Sequence, residues 1–297
     1  MELQPLTLRD RPLLERYLRQ QPHDLSVYSF ANTWIWRSLF EIKWAVIRDR
    51  FCLFFQNNVG CFMTLPPLGG FQAGVVEECF EIMDRVNLQP EISRIENIEH
   101  EEQALFAQQG LRTTVKSEEY VVSQNDMAAL AGEGFKHKRN LCNFFEKNHN
   151  ALFRPYDPKD KQGVFKLYDV WMQERLSKNS EPIYQAMLKD SRGVFGELLA
   201  AWPQLEMIGY VVENKERICG FTCGFAVSNS MFCINFEIAD LRLKGLAQFM
   251  FHEFSKTLTQ YPEINIMDDS DLANIRRAKL SYRPSRLVPC ITALKSS

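Results

Sequence analysis

The sequence predicts an α/β (α+β) protein of two similarly built halves, each a mixed, mostly antiparallel sheet flanked by helices. Three observations lead there. The C-terminal half switches between helical and extended apolar periods in the order β-α-α-β-β-β-α-β-α-β. The N-terminal half gives the same order with weaker signals and no residue-level repeat. The length of 297 residues suits two units of ~150 residues each. The expected division is 1–125, a connecting basic helix over 126–150, and 151–297.

In the first half, Leu3–Leu8 reads as an opening strand, followed by helical stretches near 11–20 and 26–38. Strands are expected at 43–48, 51–56 and 60–65. The turn-rich Pro66-Pro67-Leu68-Gly69-Gly70 leads into a helix over 74–87, then a strand (92–97), a helix (99–109) and a strand (118–123). Between the halves, Gly132 and Gly134 break the chain and a helix follows. On it Lys136, Arg139, Asn140, Asn143 and Lys147 share one face, while Phe135, Leu141, Cys142 and Phe145 lie largely on the other.

In the second half, 151–156 reads as a strand. Val164, Leu167, Tyr168, Trp171 and Met172 mark one apolar helix face. Pro182 suits the first turn of a second helix that runs through Met187, Phe195, Leu198 and Leu199. Strands follow at 205–213, 217–227 and 231–239. After a loop, Leu246, Phe249, Met250, Phe254 and Leu258 define a helix. A strand (263–267), a helix (Leu272–Leu280) and a last strand (286–293) close the order.

Composition narrows the class. Hydrophobic residues are 45% and charged residues 24%, an ordinary soluble globular balance. The net charge of −2 argues against a protein that coats DNA. Residues 51–76 and 218–236 lack charge, but polar and proline-glycine breaks within them read as turns between buried strands rather than membrane spans. The N-terminus has no apolar leader. Eight cysteines form no CxxC pair and no zinc-type cluster, so reduced core thiols in a cytoplasmic protein are expected. The histidines form no HxxxH, and no serine or cysteine sits in a nucleophile elbow, leaving metal catalysis and a Ser/Cys triad without support.

The sharpest local motif is Arg242-Leu243-Lys244-Gly245-Leu246-Ala247, between a strand and a helix. A helix's first turn offers unbonded N–H groups and a positive dipole end, suited to a pyrophosphate. R-x-x-G-x-A in this setting resembles the phosphate loop of the GNAT acyltransferases, and the element order of the second half is similar to theirs. The plain alternative is a loop with solvated Arg242 and Lys244. Glu237 and Asp240, at the end of the preceding strand, are placed to deprotonate an attacking amine, with capping or ion pairing as the other reading. Tyr282 follows the last helix, where GNAT enzymes often carry the tyrosine that protonates the leaving group. Residues 275–297 hold Arg276, Arg277, Lys279, Arg283, Arg286 and Lys295 and no acid; with the 136–147 helix they suit a polyanionic partner or form a solvated face. Pro66 and Pro67 lack N–H donors where the first half would carry its phosphate loop, so that half is expected to be the degenerate partner.

Four further motifs carry a wider resemblance. Gly134-Phe135-Lys136-His137-Lys138-Arg139-Asn140 with Phe144-Phe145, Asn32-Thr33-Trp34-Ile35-Trp36-Arg37, Pro66-Pro67-Leu68-Gly69, and Arg276 through Pro284 occur in the order seen in the phosphatidylglycerol lysyltransferase C-terminal-domain family. The chain resembles a soluble, stand-alone member over nearly its whole length. The resemblance implies tandem GNAT-like domains, as in FemABX-type aminoacyltransferases, which work in a cleft between the two. It implies that Glu237 and Tyr282, the candidate catalytic groups, line that cleft and that Lys138, Arg139 and Lys279 face phosphate; Lys136 and Arg276 of the basic segments are further phosphate-binding candidates, beside the loop residues Arg242, Lys244, Gly245, Leu246 and Ala247. Two stretches depart from the family: Glu237-Ile238-Ala239 lacks an expected lysine, and Met267–Ala273 lacks an arginine and a glycine.

The reading is therefore an acyl- or aminoacyltransferase moving its group from acyl-CoA or aminoacyl-tRNA to an amine or hydroxyl. No tightly bound cofactor is expected, and the acceptor is expected to be a small molecule or peptide before a lipid. The alternative is a catalytically lapsed GNAT-fold module that binds a nucleotide or tRNA, motivated by the altered 267–273 stretch.

Overall fold

A computed structural model describes residues 2–296. Along the chain run β1 (Gln4–Pro5), α1 (Arg11–Leu18), α2 (Phe30–Ile35), β2 (Glu41–Ile47), β3 (Arg50–Gln56), β4 (Cys61–Phe62), α3 (Ala73–Asp84), β5 (Arg94–Ile98), α4 (Gln103–Gln108) and β6 (Leu111–Ser123). Then come α5 (Gln124–Ala129), α6 (Lys136–Asn148), β7 (Ala151–Pro155), α7 (Lys161–Leu176), α8 (Pro182–Ala200), β8 (Ile208–Asn214), β9 (Arg217–Ala226) and β10 (Met231–Ala239). The chain ends with α9 (Leu246–Thr257), β11 (Glu263–Asn265), α10 (Ala273–Leu280) and β12 (Arg286–Lys295).

The chain divides into two compact units. The first comprises residues 1–120, 268–276 and 287–297; the second comprises 121–267 and 277–286. This differs from a simple division at 125 and 151, because two C-terminal segments belong to the first unit. The physical reason is pairing: β12 lies antiparallel to β5, with Ile291 opposite Ile98 and Ala293 opposite Ile95. Ile291 and Ala293 are buried there with Ile95, Ile98 and Phe106 in one apolar core.

In the first unit β1, β2, β3 and β4 form an antiparallel sheet. β3 is buried along nearly its whole length, and α3 covers it with Val75, Val76, Cys79, Phe80 and Met83, which recur on one helix face. Ser29 caps α2 by accepting from the Ala31 N–H, which starts that helix later than the apolar pattern suggested. Leu68 exchanges both backbone hydrogen bonds with Phe51, at 3.0 and 2.9 Å. The Pro66–Leu68 segment is thus buried against β3.

In the second unit the strand order is β6-β11-β10-β9-β8-β7, through the last residues of β6. β10 and β11 are parallel and the other pairs antiparallel. Tyr210, Thr222 and Glu237 stand opposite one another on adjacent strands and so share a sheet face. The other face packs Phe221 and Phe236 against Phe195 of α8. Phe145 of α6 and Leu246, Phe249 and Met250 of α9 close a core with Val212 and Ala239.

The two charge-free runs are β3–β4 with the turn into α3, and β9–β10. No helix among the described residues is long and apolar enough to cross a membrane. All eight cysteines are buried thiols, and none is in a disulfide.

Candidate active site

The site begins where two strands part. β10 pairs with β11 only from Met231 to Cys233, yet continues to Ala239 against β9. The register slips between Ile234 and Phe236, a bulge that carries Asn235. Beyond the last shared rung, Lys279 of α10 donates to the Ile266 carbonyl at 2.6 Å, and Asn235 Nδ2 reaches Met267 Sδ at 3.6 Å. Two polar atoms here are buried without a hydrogen-bond partner: Asn235 Oδ1 and Thr222 Oγ1.

Glu237 lies on this diverging stretch, opposite Thr222. Water reaches its side chain, yet the protein crowded around it lifts the carboxyl to about 7, against the opposing pull of Lys279 and then Lys138. The carboxylate is recessed but open. Tyr282 is half-buried, packed on Phe251 with ring centroids 4.5 Å apart. Burial raises its hydroxyl well above the usual phenol range, and the Glu237 charge adds to that. Lys138 is only 8% exposed. Its ammonium stands 3.7 Å from the Tyr282 ring centroid, and burial lowers its pKa while Glu237 partly restores it. A carboxyl, a phenol and an ammonium thus converge from β10, the segment after α10, and α6.

Asp240, three residues further, is differently placed. Its buried carboxylate accepts from Arg242 Nε and Nη2, both at 2.8 Å, and from Arg217 Nη2 at 2.6 Å. The Arg242 hydrogen bond is foremost among the effects that hold it down at about 2. The fork of Arg242, though exposed, is therefore engaged by a protein carboxylate.

Gly245 is the N-cap of α9 and has φ 87°, in the left-handed region. What closes on it is protein: a Cβ there would collide with the Leu141 carbonyl of α6 and stand 3.3 Å from Phe145 Cβ. Gly245 and Leu246 are buried, while Arg242, Lys244 and Ala247 of this turn are exposed. The Leu246 N–H is engaged by Leu243 O at 3.2 Å, and the Lys244 ammonium lies 4.9 Å from the Phe144 ring centroid. The glycine that the sequence suggested for phosphate approach is required here by the packing of α6.

The remaining basic residues separate. Lys136 is exposed and pairs with Glu133 at 3.3 Å. Arg139 donates to the Leu130 carbonyl and, at 3.1 Å, to that of Gly132, capping α5. Arg276 belongs to the first unit, where its charge bears on Tyr120, the donor of a 2.6 Å hydrogen bond to Asp269. Sequence reasoning missed Thr222 and Asn235, because a bulge and a parting of strands leave no residue-type signature. It read Arg283 as one of a basic group facing a polyanion or solvent; the guanidinium occupies the space a Gly134 side chain would fill, so two distant motifs explain each other.

Over residues 18–294 the sequence matches the family described as phosphatidylglycerol lysyltransferase, C-terminal. No curated protein matches it. Among solved structures, it is similar to a conserved protein of unknown function from Bacteroides thetaiotaomicron VPI-5482, with 22% identity, TM-score 0.89 and 100% of both chains covered. It is similar to L-PGS from Bacillus licheniformis, with 16% identity and TM-score 0.66 over 96% of this chain and 92% of that one. It is similar to FemX, with 8% identity and TM-score 0.66 over 98% and 97% of the two chains. The fold class is α/β and GNAT-like.

Proposed function

Because the chain belongs to the phosphatidylglycerol lysyltransferase C-terminal family, which is of aminoacyltransferase type, we propose that it transfers an aminoacyl group from aminoacyl-tRNA, rather than an acyl group from coenzyme A, to an amine or hydroxyl. The observation that carries the choice of donor is the closed turn at the start of α9. A coenzyme A pyrophosphate needs accessible backbone N–H groups and open cations at such a helix start. Here Gly245 and Leu246 are buried beneath α6 and Arg242 is committed to Asp240. An ester on a ribose hydroxyl needs no cradle at that place.

In this reading Glu237 accepts the proton of the acceptor N–H or O–H as that atom attacks the ester carbonyl. The new C–N or C–O bond forms, and the ester bond to the ribose oxygen breaks. Tyr282, held protonated at neutral pH, gives its proton to the departing ribose oxygen and is later reprotonated through Glu237 and solvent. The Lys138 ammonium beside the Tyr282 ring favours the negative charge that develops there. The first unit, with Leu68 bonded back onto Phe51, is the half without a phosphate loop. Dependence on charged tRNA sets the reaction in the cytoplasm.

The test supplies the purified chain with labelled aminoacyl-tRNA and, separately, with acetyl- and longer acyl-CoAs, beside a panel of amines and alcohols. Transfer and a raised melting temperature with charged tRNA alone are expected. A melting shift and turnover with an acyl-CoA would overturn the choice of donor. Binding of tRNA with no transfer to any acceptor would favour the lapsed module.

A further inference from the structure

We infer that Asn235 selects an aminoacyl group over a plain acyl group, its side-chain oxygen accepting a hydrogen bond from the α-amino N–H of the transferred group. The inference rests on the donor reading above and adds what recognises the group being moved.

Asn235 is the extra residue of the β10 bulge, two residues before Glu237 and just beyond the last rung that β10 shares with β11. A bulge re-aims one side chain while the strand continues. The direction of the amide is fixed by its neighbour. Its Nδ2 end meets the Met267 sulfur at 3.6 Å, and a thioether only accepts, so Oδ1 is the end turned elsewhere. That oxygen is buried and has no hydrogen-bond partner among the described residues. The residue as a whole is half-buried, so its amide borders open space rather than sitting deep in the core. A buried acceptor without a donor is a cost that the fold itself does not repay.

Contacts tie this amide to Glu237. Met267 follows Ile266, whose carbonyl accepts from Lys279 at 2.6 Å. Lys279 is in turn the cation that bears most on Glu237. Asn235, Met267, Lys279 and Glu237 thus border the gap that opens where β10 leaves β11, all within the second unit. The other unpartnered atom, Thr222 Oγ1, belongs to the residue opposite Glu237 and is placed to serve that carboxyl. In the proposed reaction the attacking N–H or O–H goes to Glu237, and the ester carbonyl needs donors rather than acceptors. The α-amino group is the one donor on the transferred group itself, a single carbon from the carbonyl. An acetyl or fatty acyl group has none. An oxygen waiting for a donor at this place therefore distinguishes the two kinds of cargo.

The test compares two charged tRNAs that carry the same side chain, an aminoacyl form and a desamino form with hydrogen in place of the α-amine. Wild type is expected to favour the aminoacyl form about tenfold in kcat/KM. Asn235→Leu should lower kcat/KM for the aminoacyl form about tenfold and leave the desamino form unchanged, so the preference disappears. Asn235→Ala, which also lacks the acceptor, should behave alike, and Asn235→Asp, which keeps one, should retain the preference. The melting temperature of Asn235→Leu should hold or rise, since the oxygen it removes has no partner in the protein. A preference that survives in Asn235→Leu and Asn235→Ala overturns the inference. So does an equal loss with both RNAs, which would give Oδ1 to a ribose hydroxyl instead. If wild type transfers from neither RNA, melting shifts with an amino acid methyl ester and its desamino counterpart decide. A shift that needs the amine and is lost in Asn235→Leu keeps the site and sinks the RNA donor, whereas shifts that do not depend on the amine overturn the inference.

Discussion

Glu237 and Asp240 stand three residues apart on one strand end and are pushed in opposite directions, one carboxyl up to about 7 and the other down to about 2. Both are acidic residues, so residue type does not separate them. What separates them is completed hydrogen bonding. Asp240 receives a two-pronged arginine, a second arginine and a backbone N–H, and it is buried with them. Glu237 has Lys279 and Lys138 in its field and is exposed to water. A carboxylate whose partners all belong to the protein is finished as a structural element. One that stays open to solvent retains a capacity for a substrate proton.

The largest expected effect comes from Glu237→Gln, which keeps the shape and removes the carboxyl proposed as the base. Turnover should fall about a hundredfold or more, while the melting temperature stays within a degree or two of wild type. Full turnover in that variant would erase the contrast. Asp240→Asn should do the reverse, losing about 1–3 kcal/mol of stability as charge-assisted bonds to Arg242 and Arg217 weaken, with turnover per folded molecule within a few-fold of wild type. Urea denaturation beside single-turnover kinetics separates the two.

Acidity gives a third, smaller effect, and the signs differ. The native carboxyl of Asp240 lies below its unfolded value, so its stabilisation is complete above about pH 4 and is lost as pH falls toward about 2. Glu237 lies above its unfolded value, so its contribution is complete below about pH 4 and is lost as pH rises through about 7. Stability curves of Asp240→Asn and Glu237→Gln should each flatten in one window only, and turnover of wild type should rise through about 7. The smallest expected effect is that of Thr222→Val. The buried hydroxyl opposite Glu237 has no partner, so stability should hold or improve by up to ~1 kcal/mol. A downward move in the pH–rate midpoint would show that the hydroxyl hydrogen-bonds the protonated acid.

Much of the second unit was legible because its periods are long and clean. The faces of α7 and α9 and the turn between β9 and β10 lie where the apolar spacing put them. Shorter signals did less well. β6 begins at Leu111 rather than near 118, since its first residues are polar and half-exposed and resemble a loop. α5 was not expected at all: Ser123 caps it by accepting from the Asp126 N–H, one local bond that outweighs a weak apolar pattern. The membership of β12 in the first unit was beyond local reading, because it depends on pairing with β5, far away in sequence. In the candidate site, residue types suggested Glu237 and Tyr282, and the family resemblance suggested Lys138. They gave no way to tell that Leu141 closes on Gly245, since that depends on an element distant in the chain.

The eight buried thiols carry a last consequence. Four of them, Cys52, Cys61, Cys79 and Cys290, lie in the first unit, and Cys142, Cys219, Cys223 and Cys233 lie in the second. Burial raises Cys61 and Cys219 to about 11 and Cys142 and Cys290 to about 12, so in the native state they are protonated as well as hidden. Each half therefore contains its own set of silent clocks that start only when that half opens. Alkylation followed by peptide mass spectrometry would time the two openings separately in one unmodified chain, without a probe having to be introduced.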